Sequence, residues 1–273
     1  MLVTLLIWFI IITYIMSCSN PHDYQNKQYH KLYTLSFIPQ TYRVKSDFYS
    51  DKITSNYSYP YILKPFVCDS FSIGVKKIHN QSELKNYFNI FHPENTFIEE
   101  YTPYVNEIGI SYIKTKNKFH YLSCIQRINH KNDIIDFGKE YVEKIWAGIP
   151  CGIDRNDLLT SRFISILDHI GDSIPGNCVG RYDIKYKDDI SLQQGKHFVI
   201  LEVNGGIGLD LRITTVNVYD IIGRVTCLIE WIGIRVLRGC QNLSLINHEQ
   251  AFTMHITYGL WIVYYIILTY FVA

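Results

Sequence analysis

The residues best suited to chemistry lie in two short apolar runs, GRYDI and LEVNG. Glu202 and Asn204 are two apart, so on a strand they share one face. Arg181 and Asp183 obey the same parity. If the two runs pair as a hairpin, Asp183, Glu202 and Asn204 converge beside Arg181. Two carboxylates and an amide oxygen form an all-oxygen set, which suits Mg²⁺. A neighbouring guanidinium suits phosphate. The flanking Phe198, Val199, Ile200, Leu201 and Val203 are apolar, and an acid there needs a metal, a base or water. A plain Arg181–Glu202 salt bridge across the strands would meet the same need.

Two further clusters carry charge. Lys64 closes the run YPYILKP and precedes CDSFSIGV. A Lys before a Ser- and Gly-containing turn can hold phosphate, the turn amides adding donors; a Lys before Pro is also an ordinary strand end. In FIEEYTPYVNEIGI, Glu99, Glu100 and Glu107 sit at strand edges, where acids are usually solvated.

The elements that position these groups follow from pattern. Gln25–Leu35 reads as a short helix and Phe37–Val44 as a strand. Tyr59–Val67, Asn95–Tyr101, Glu107–Ile113 and Lys118–Ile128 read as strands. Ser82–Phe91 has helical spacing and a capping-box start at Ser82, with Lys85 in place of the acid. Asp157–Ile170 is an amphipathic helix with an Asp cap. Cys178–Lys185 and His197–Asn204 are strands, and Tyr219–Leu237 is helical. Strands in sequential pairs, mixed with helices, predict an α+β fold with antiparallel sheets.

Composition narrows the function. With 26 basic and 25 acidic residues the net charge is +1, which leaves no surplus to displace counterions from a nucleic acid. Seven Cys form no C-x-x-C pair, which disfavours a zinc ribbon and suits a reducing compartment. Ten His are dispersed without ligand spacing. Gly205-Gly206-Ile207-Gly208 lacks the spacing of a dinucleotide loop. Sequons at Asn56, Asn80 and Asn242 are few enough to arise by chance in an Asn-rich chain.

Both ends are hydrophobic. Leu2–Met16 carries no charge; it is short for a spanning helix and suits a signal-peptide core or an uncleaved anchor. Ile256–Ala273 is also uncharged and would extend about 27 Å as a helix, against roughly 30 Å of hydrocarbon. The expected layout is 1–19 as N-terminal anchor or signal peptide, 20–245 as the folded domain, and 246–273 as a C-terminal transmembrane anchor.

In order along the chain, Lys64-Pro65, Asp69–Val75, Glu99-Glu100, Glu107, Arg181-Tyr182-Asp183 and Glu202-Val203-Asn204 resemble the ATP-grasp superfamily. The resemblance is to its D-alanine–D-alanine ligase and carboxylate–amine ligase branch, over about residues 25 to 240. It implies two α+β subdomains whose antiparallel sheets clasp ATP, with a hydrophobic helix at each terminus added by this chain. It implies that Lys64 contacts the α and β phosphates and that the loop with Ser70, Ser72 and Gly74 covers them. Backbone at Glu99, Glu100 and Tyr101 would hold adenine, and Glu107 the ribose. Asp183, Glu202 and Asn204 would hold one or two Mg²⁺, and Arg181 would stabilise the transferring phosphoryl group. Lys27 or Lys31 matches the family's early Lys.

The implied reaction joins a small-molecule carboxylate to an amine through an acylphosphate made from ATP. Such chemistry rests on positioning and charge neutralisation and on a loop that excludes water; the Asp69–Gly74 turn is the candidate lid. That turn has Phe71 and only Gly74 where the family is Gly-rich. Too few residues precede Lys27 for the family's substrate subdomain, so the acceptor site is reduced, lost, or supplied by a partner or second copy. A phosphotransferase without ligation and a membrane-held pseudoenzyme scaffold are the competing readings. ATP use requires a cytosolic face, which favours anchors over a cleaved signal peptide.

Overall fold

The computed structural model describes residues 30–65, 74–115, 118–128 and 152–205, with helical residues also at 10–12, 14–15, 229, 232–233 and 236. Two antiparallel sheets dominate it. The first contains β1 (Ser46–Phe48), β2 (Tyr61–Pro65), β3 (Lys76–Ile78) and β4 (Thr96–Glu100), in the order β1-β4-β2-β3. The second contains β5 (Asn106–Thr115), β6 (Lys118–Arg127), β7 (Gly152–Asp154), β8 (Val179–Tyr186) and β9 (Phe198–Asn204), in the order β7-β6-β5-β8-β9. This is the α+β, antiparallel arrangement that the sequence predicts.

Each sheet has one face closed by a helix. On the small sheet, α3 (Gln81–Phe88) follows α1 (His30–Ser36) and the single turn α2 (Asp51–Thr54) in the chain. It buries Leu84 and Tyr87 against Tyr61, Leu63, Ile78 and Ile98. Its cap is Asn80 rather than Ser82. The Asn80 side chain accepts from the Glu83 amide at 3.0 Å, and Glu83 accepts in return from the His79 amide at 2.9 Å. That is a capping box built two residues earlier, around the acid that Lys85 could not supply.

On the large sheet, α4 (Ser161–Ser173) lays Phe163, Leu167 and Ile170 against Ile108, Ile110, Tyr182, Ile184 and Ile200. The spacing of those three is the stripe of an amphipathic helix. At roughly 1.5–3 kcal/mol for each large apolar side chain buried, the stripe is a main source of the domain's stability. Thr160 caps the helix by accepting from the Phe163 amide at 3.3 Å. Asp157 instead lies in a 3-10 turn, Asn156–Leu158, held by Arg155 at 2.9 Å. A short helix α5 (Asp189–Gln193) lies in the β8–β9 connection.

The strand expected over Phe37–Val44 is a 3-10 turn at Gln40–Tyr42 instead. Pro39 lacks an amide hydrogen for a ladder, and its carbonyl accepts from the Tyr42 amide at 2.8 Å to close the turn. The alternation there reflects separate contacts, with Ile38 and Val44 buried on either side of the turn. Cys124 is buried in the large core, where desolvation pushes its thiol up to about 12. It behaves as a small apolar residue.

Among the described residues, no helix is long and apolar enough to cross a membrane. Most of Leu2–Met16, all of Ile256–Ala273 and most of Tyr219–Leu237 lie outside the described residues. So do Lys27, the Lys31 side chain, Ser70, Ser72, most of the Asp69–Gly74 turn, and Gly206–Gly208.

Candidate active site

The large sheet's second face is polar. Cross-strand partners point to the same side. Arg181 pairs with Asn204, Asp183 with Glu202, and on the other flank Ser111 with Arg181 and Gly109 with Asp183. Arg181, Asp183, Glu202 and Asn204 therefore share the face opposite α4, as the two-residue spacing predicts. Ser111 joins them there.

Simple alternation alone does not deliver this result. Phe198, Ile200, Glu202 and Asn204 have the same parity, so a regular strand would send Glu202 into the core beside Ile200. The β8–β9 register shifts between Asp183 and Ile184, where Ile184 pairs with Ile200 while Asp183 pairs with Glu202. Leu201 is the extra residue. A bulge of one residue reverses facing, so Phe198 and Ile200 stay buried while Glu202 and Asn204 turn to the polar side.

The contacts in the cluster are short. Asn204 Nδ2 donates to Asp183 Oδ2 at 2.9 Å and to Glu202 Oε1 at 2.8 Å. Arg181 grips Asp183 with two bonds, Nε to Oδ1 at 2.7 Å and Nη2 to Oδ2 at 2.9 Å. The two-point grip of Arg181 is thus on Asp183, with the Glu202 charge acting on the same guanidinium. Asp183 is 4% exposed. Burial pushes its carboxyl above the usual range, although Arg181 and then Arg127 oppose the shift.

These residues fit a divalent cation. An amide nitrogen lies between two carboxylate oxygens, in the place where a positive charge is wanted. Rotating the same amide by half a turn presents its oxygen, completing an all-oxygen set of the kind Mg²⁺ takes. Among the described residues no group of three His, Cys, Asp or Glu is gathered that could hold a metal; the set here is two acids and an amide. Ser111 Oγ is buried on the same face with no hydrogen-bond partner among the described residues. A native fold seldom leaves a hydroxyl so placed unless a ligand or water meets it.

Gly180 is fitted to this cluster. A Cβ there would come within 2.6 Å of Tyr112 Oη and 2.8 Å of the Asn204 carbonyl oxygen. Tyr112 is fixed in turn by donating to Asn177 at 2.6 Å. Gly180→Ala is expected to destabilise the domain by about 1–3 kcal/mol through overpacking, and to push β9 away with Asn204 on it. Urea unfolding measures the first effect and divalent-ion affinity the second.

The small sheet contributes a second group. On the face opposite α3, Lys64 is paired with Phe97 and Glu99 with Ile62, so Lys64 and Glu99 are diagonal neighbours. Lys64 Nζ lies 2.8 Å from Glu99 Oε2, and Ser46 Oγ donates to that oxygen at 3.3 Å. Glu99 is 5% exposed, so it is a buried ion-pair partner and not a solvated strand end. Glu100 is exposed, as expected. Lys77, on β3, lies 4.1 Å from the centre of the Tyr101 ring. Gly74 takes a left-handed φ of +76°, with Phe91 and Pro65 against the place of a side chain. Of the expected loop glycine and serines, it is the one whose position is described.

Glu107 is also buried, and it is paired. Arg127 Nη1 donates to Glu107 Oε1 at 2.7 Å, and Arg127 Nη2 lies 3.7 Å from Asp183 Oδ2. Arg127 is the site residue that sequence reasoning missed. Counting back from the Thr115–Lys118 pair would set Gln126 opposite Glu107; the register shift between Ser111 and Tyr112, which no sequence pattern announces, brings Arg127 to that end of β5 instead.

The sequence matches the family described as D-ala D-ala ligase C-terminus over residues 32–212. The chain belongs to this family, in the ATP-grasp superfamily, as its ordered motifs implied. No curated protein matches it. Among solved structures, biotin carboxylase from Campylobacter jejuni shares the fold, at a TM-score of 0.50 and 11% identity over 85% of this chain and 50% of that one. D-Alanine-D-alanine ligase from Helicobacter pylori gives a TM-score of 0.45 and 16% identity over 77% of this chain and 58% of the ligase. Carboxyaminoimidazole ribonucleotide synthase from Aspergillus clavatus, solved with ATP, gives 0.44 and 11% over 63% and 42%. The chain thus spans about half the length of the solved proteins it resembles.

Proposed function

We propose that the chain is an ATP-dependent carboxylate–amine ligase that uses Mg²⁺. ATP with Mg²⁺ would supply the activation, turning a small-molecule carboxylate into an acylphosphate open to an amine. Asp183, Glu202 and Asn204 would hold the metal. Arg181, fixed by two bonds to Asp183, would stabilise the transferring phosphoryl group. Lys64 would leave Glu99 for phosphate oxygens, a like-for-like exchange of anionic partners. Glu107 would accept from the ribose hydroxyls, and Glu99–Tyr101 backbone would hold adenine.

The observation that carries this reading is the convergence of Asp183, Glu202 and Asn204 around one amide, on the face opposite the core. A scaffold protein has no need to turn an acid and an amide out of a core strand with a bulge so that they meet a second acid. Family membership favours ligation over simple phosphotransfer.

The test is ADP release by the full chain against a panel of carboxylic and amino acids. Release that needs both a carboxylate and an amine, with a condensed product by mass spectrometry, supports ligation. Release with phosphorylated product alone selects the phosphotransferase. Membrane attachment through 256–273, with the domain facing the cytosol, rests on the sequence. Protection of the domain from protease added outside intact cytosol-enclosing vesicles, and its loss on lysis, would support it.

A further inference from the structure

We propose that Arg127 is a positioning residue that links the nucleotide end of the site to its metal end; this rests on the Mg²⁺–ATP reading above. Arg127 closes β6, one step beyond the Ile108–Gln126 pair, so it stands across from Glu107 at the start of β5. Its Nη1 makes a 2.7 Å bond to Glu107, and its Nη2 stops 3.7 Å short of Asp183. The three side chains are 18%, 10% and 5% exposed respectively, so little water screens them.

The two contacts are unequal, and the inequality defines the role. At 2.7 Å the Glu107 contact is a charge-assisted hydrogen bond, which fixes direction. At 3.7 Å the Asp183 contact is beyond hydrogen-bond length and acts through charge alone. A planar guanidinium moves as one body, so whatever fixes one nitrogen fixes the other. The Glu107 bond thus helps keep Arg127 back from Asp183, a carboxylate bonded by Arg181 and Asn204. In return Arg127 fixes the Glu107 carboxylate.

A simple clamp on the β5–β6 hairpin would behave differently. In Arg127→Ala a clamp's loss weakens every ligand. The linking role moves two affinities in opposite directions. Removing the guanidinium takes a positive charge from beside Asp183, so Mn²⁺ alone binds several-fold tighter. It also releases Glu107, so ATP without metal binds about tenfold weaker. Arg127→Lys keeps the charge and loses the fork, so Mn²⁺ binds as in wild type while ATP weakens. Glu107→Gln weakens the anchor and lets the guanidinium swing toward Asp183, so Mn²⁺ binds several-fold weaker.

The experiment is Mn²⁺ titration followed by electron paramagnetic resonance, and ATP calorimetry without metal, on the full chain and these three variants. The expected result is the opposed pattern in Arg127→Ala, or the Glu107→Gln and Arg127→Lys results if Arg127→Ala does not fold. Both affinities falling together in folded Arg127→Ala, or neither changing, overturns the proposal. So does an unchanged Mn²⁺ affinity in Glu107→Gln. A wild-type chain that binds Mn²⁺ but no ATP overturns the nucleotide reading, and the Mn²⁺ series still decides whether Arg127 acts on Asp183. A folded wild-type chain that binds no Mn²⁺ overturns both.

Discussion

Glu202→Gln lowers ADP release on the order of a hundredfold or more, and shifts the melting temperature by no more than about 3 °C. The substitution keeps the length and the acceptor oxygen that Asn204 Nδ2 now uses at 2.8 Å. It removes the negative charge. Glu202 is half-buried on the polar face and packs no core, so the fold has little to lose. A divalent cation has much to lose, because a neutral amide replaces one of its two carboxylates. Steady-state ADP release and thermal melting on one preparation separate the two effects. Unchanged turnover would remove Glu202 from the metal site.

Lys64→Ala acts on stability and binding together. It leaves Glu99 buried with Ser46 as its remaining short contact. Stranding a buried charge by deleting its partner costs about 3–5 kcal/mol. The same change removes the ammonium expected on phosphate, and ATP affinity falls about 10- to 100-fold. Adding Glu99→Gln should restore most of the stability, since the stranded charge is gone, and none of the affinity. Urea unfolding and calorimetry on the two single variants and the double variant test this. Affinity that recovers with stability would mean that Lys64 serves the sheet and not the nucleotide.

Much of the site was legible because spacing by two on a strand is a geometric rule. Arg181, Asp183, Glu202 and Asn204 lie together for that reason. The rule did not reveal why they face away from the core. That depends on the Leu201 bulge, which nothing in FVILEVN announces. Glu99 was misread because exposure is a tertiary property; an acid at a strand end is solvated unless a Lys lies diagonally across the sheet. Arg127 was missed because its meaning lies in the hairpin register with Glu107, twenty residues away in sequence.

Helix caps failed in a similar way. Asp157 and Ser82 have the right residue types, but Thr160 and Asn80 have the right geometry. Asp157 was already engaged by Arg155, and Asn80 had Glu83 at the third position. Strand type was legible in β2, β4, β5, β6, β8 and β9, and the β8–β9 pairing with it; the β2–β4 and β5–β8 pairings join strands that are not consecutive, and spacing alone does not show them. The run Phe37–Val44 was not legible, because alternation over a few residues can arise from a turn that buries both its flanks.

On the function proposed above, this fold holds ATP through a metal between β8 and β9 and through Lys64. Calorimetric titration of the full chain with ATP, with and without Mg²⁺, tests it most directly. The expected result is binding that Mg²⁺ tightens, and that is lost in the Lys64→Ala, Glu99→Gln double variant while that variant remains folded. A folded wild-type chain that takes up no ATP at any Mg²⁺ concentration, or binding untouched by the double substitution, would contradict it.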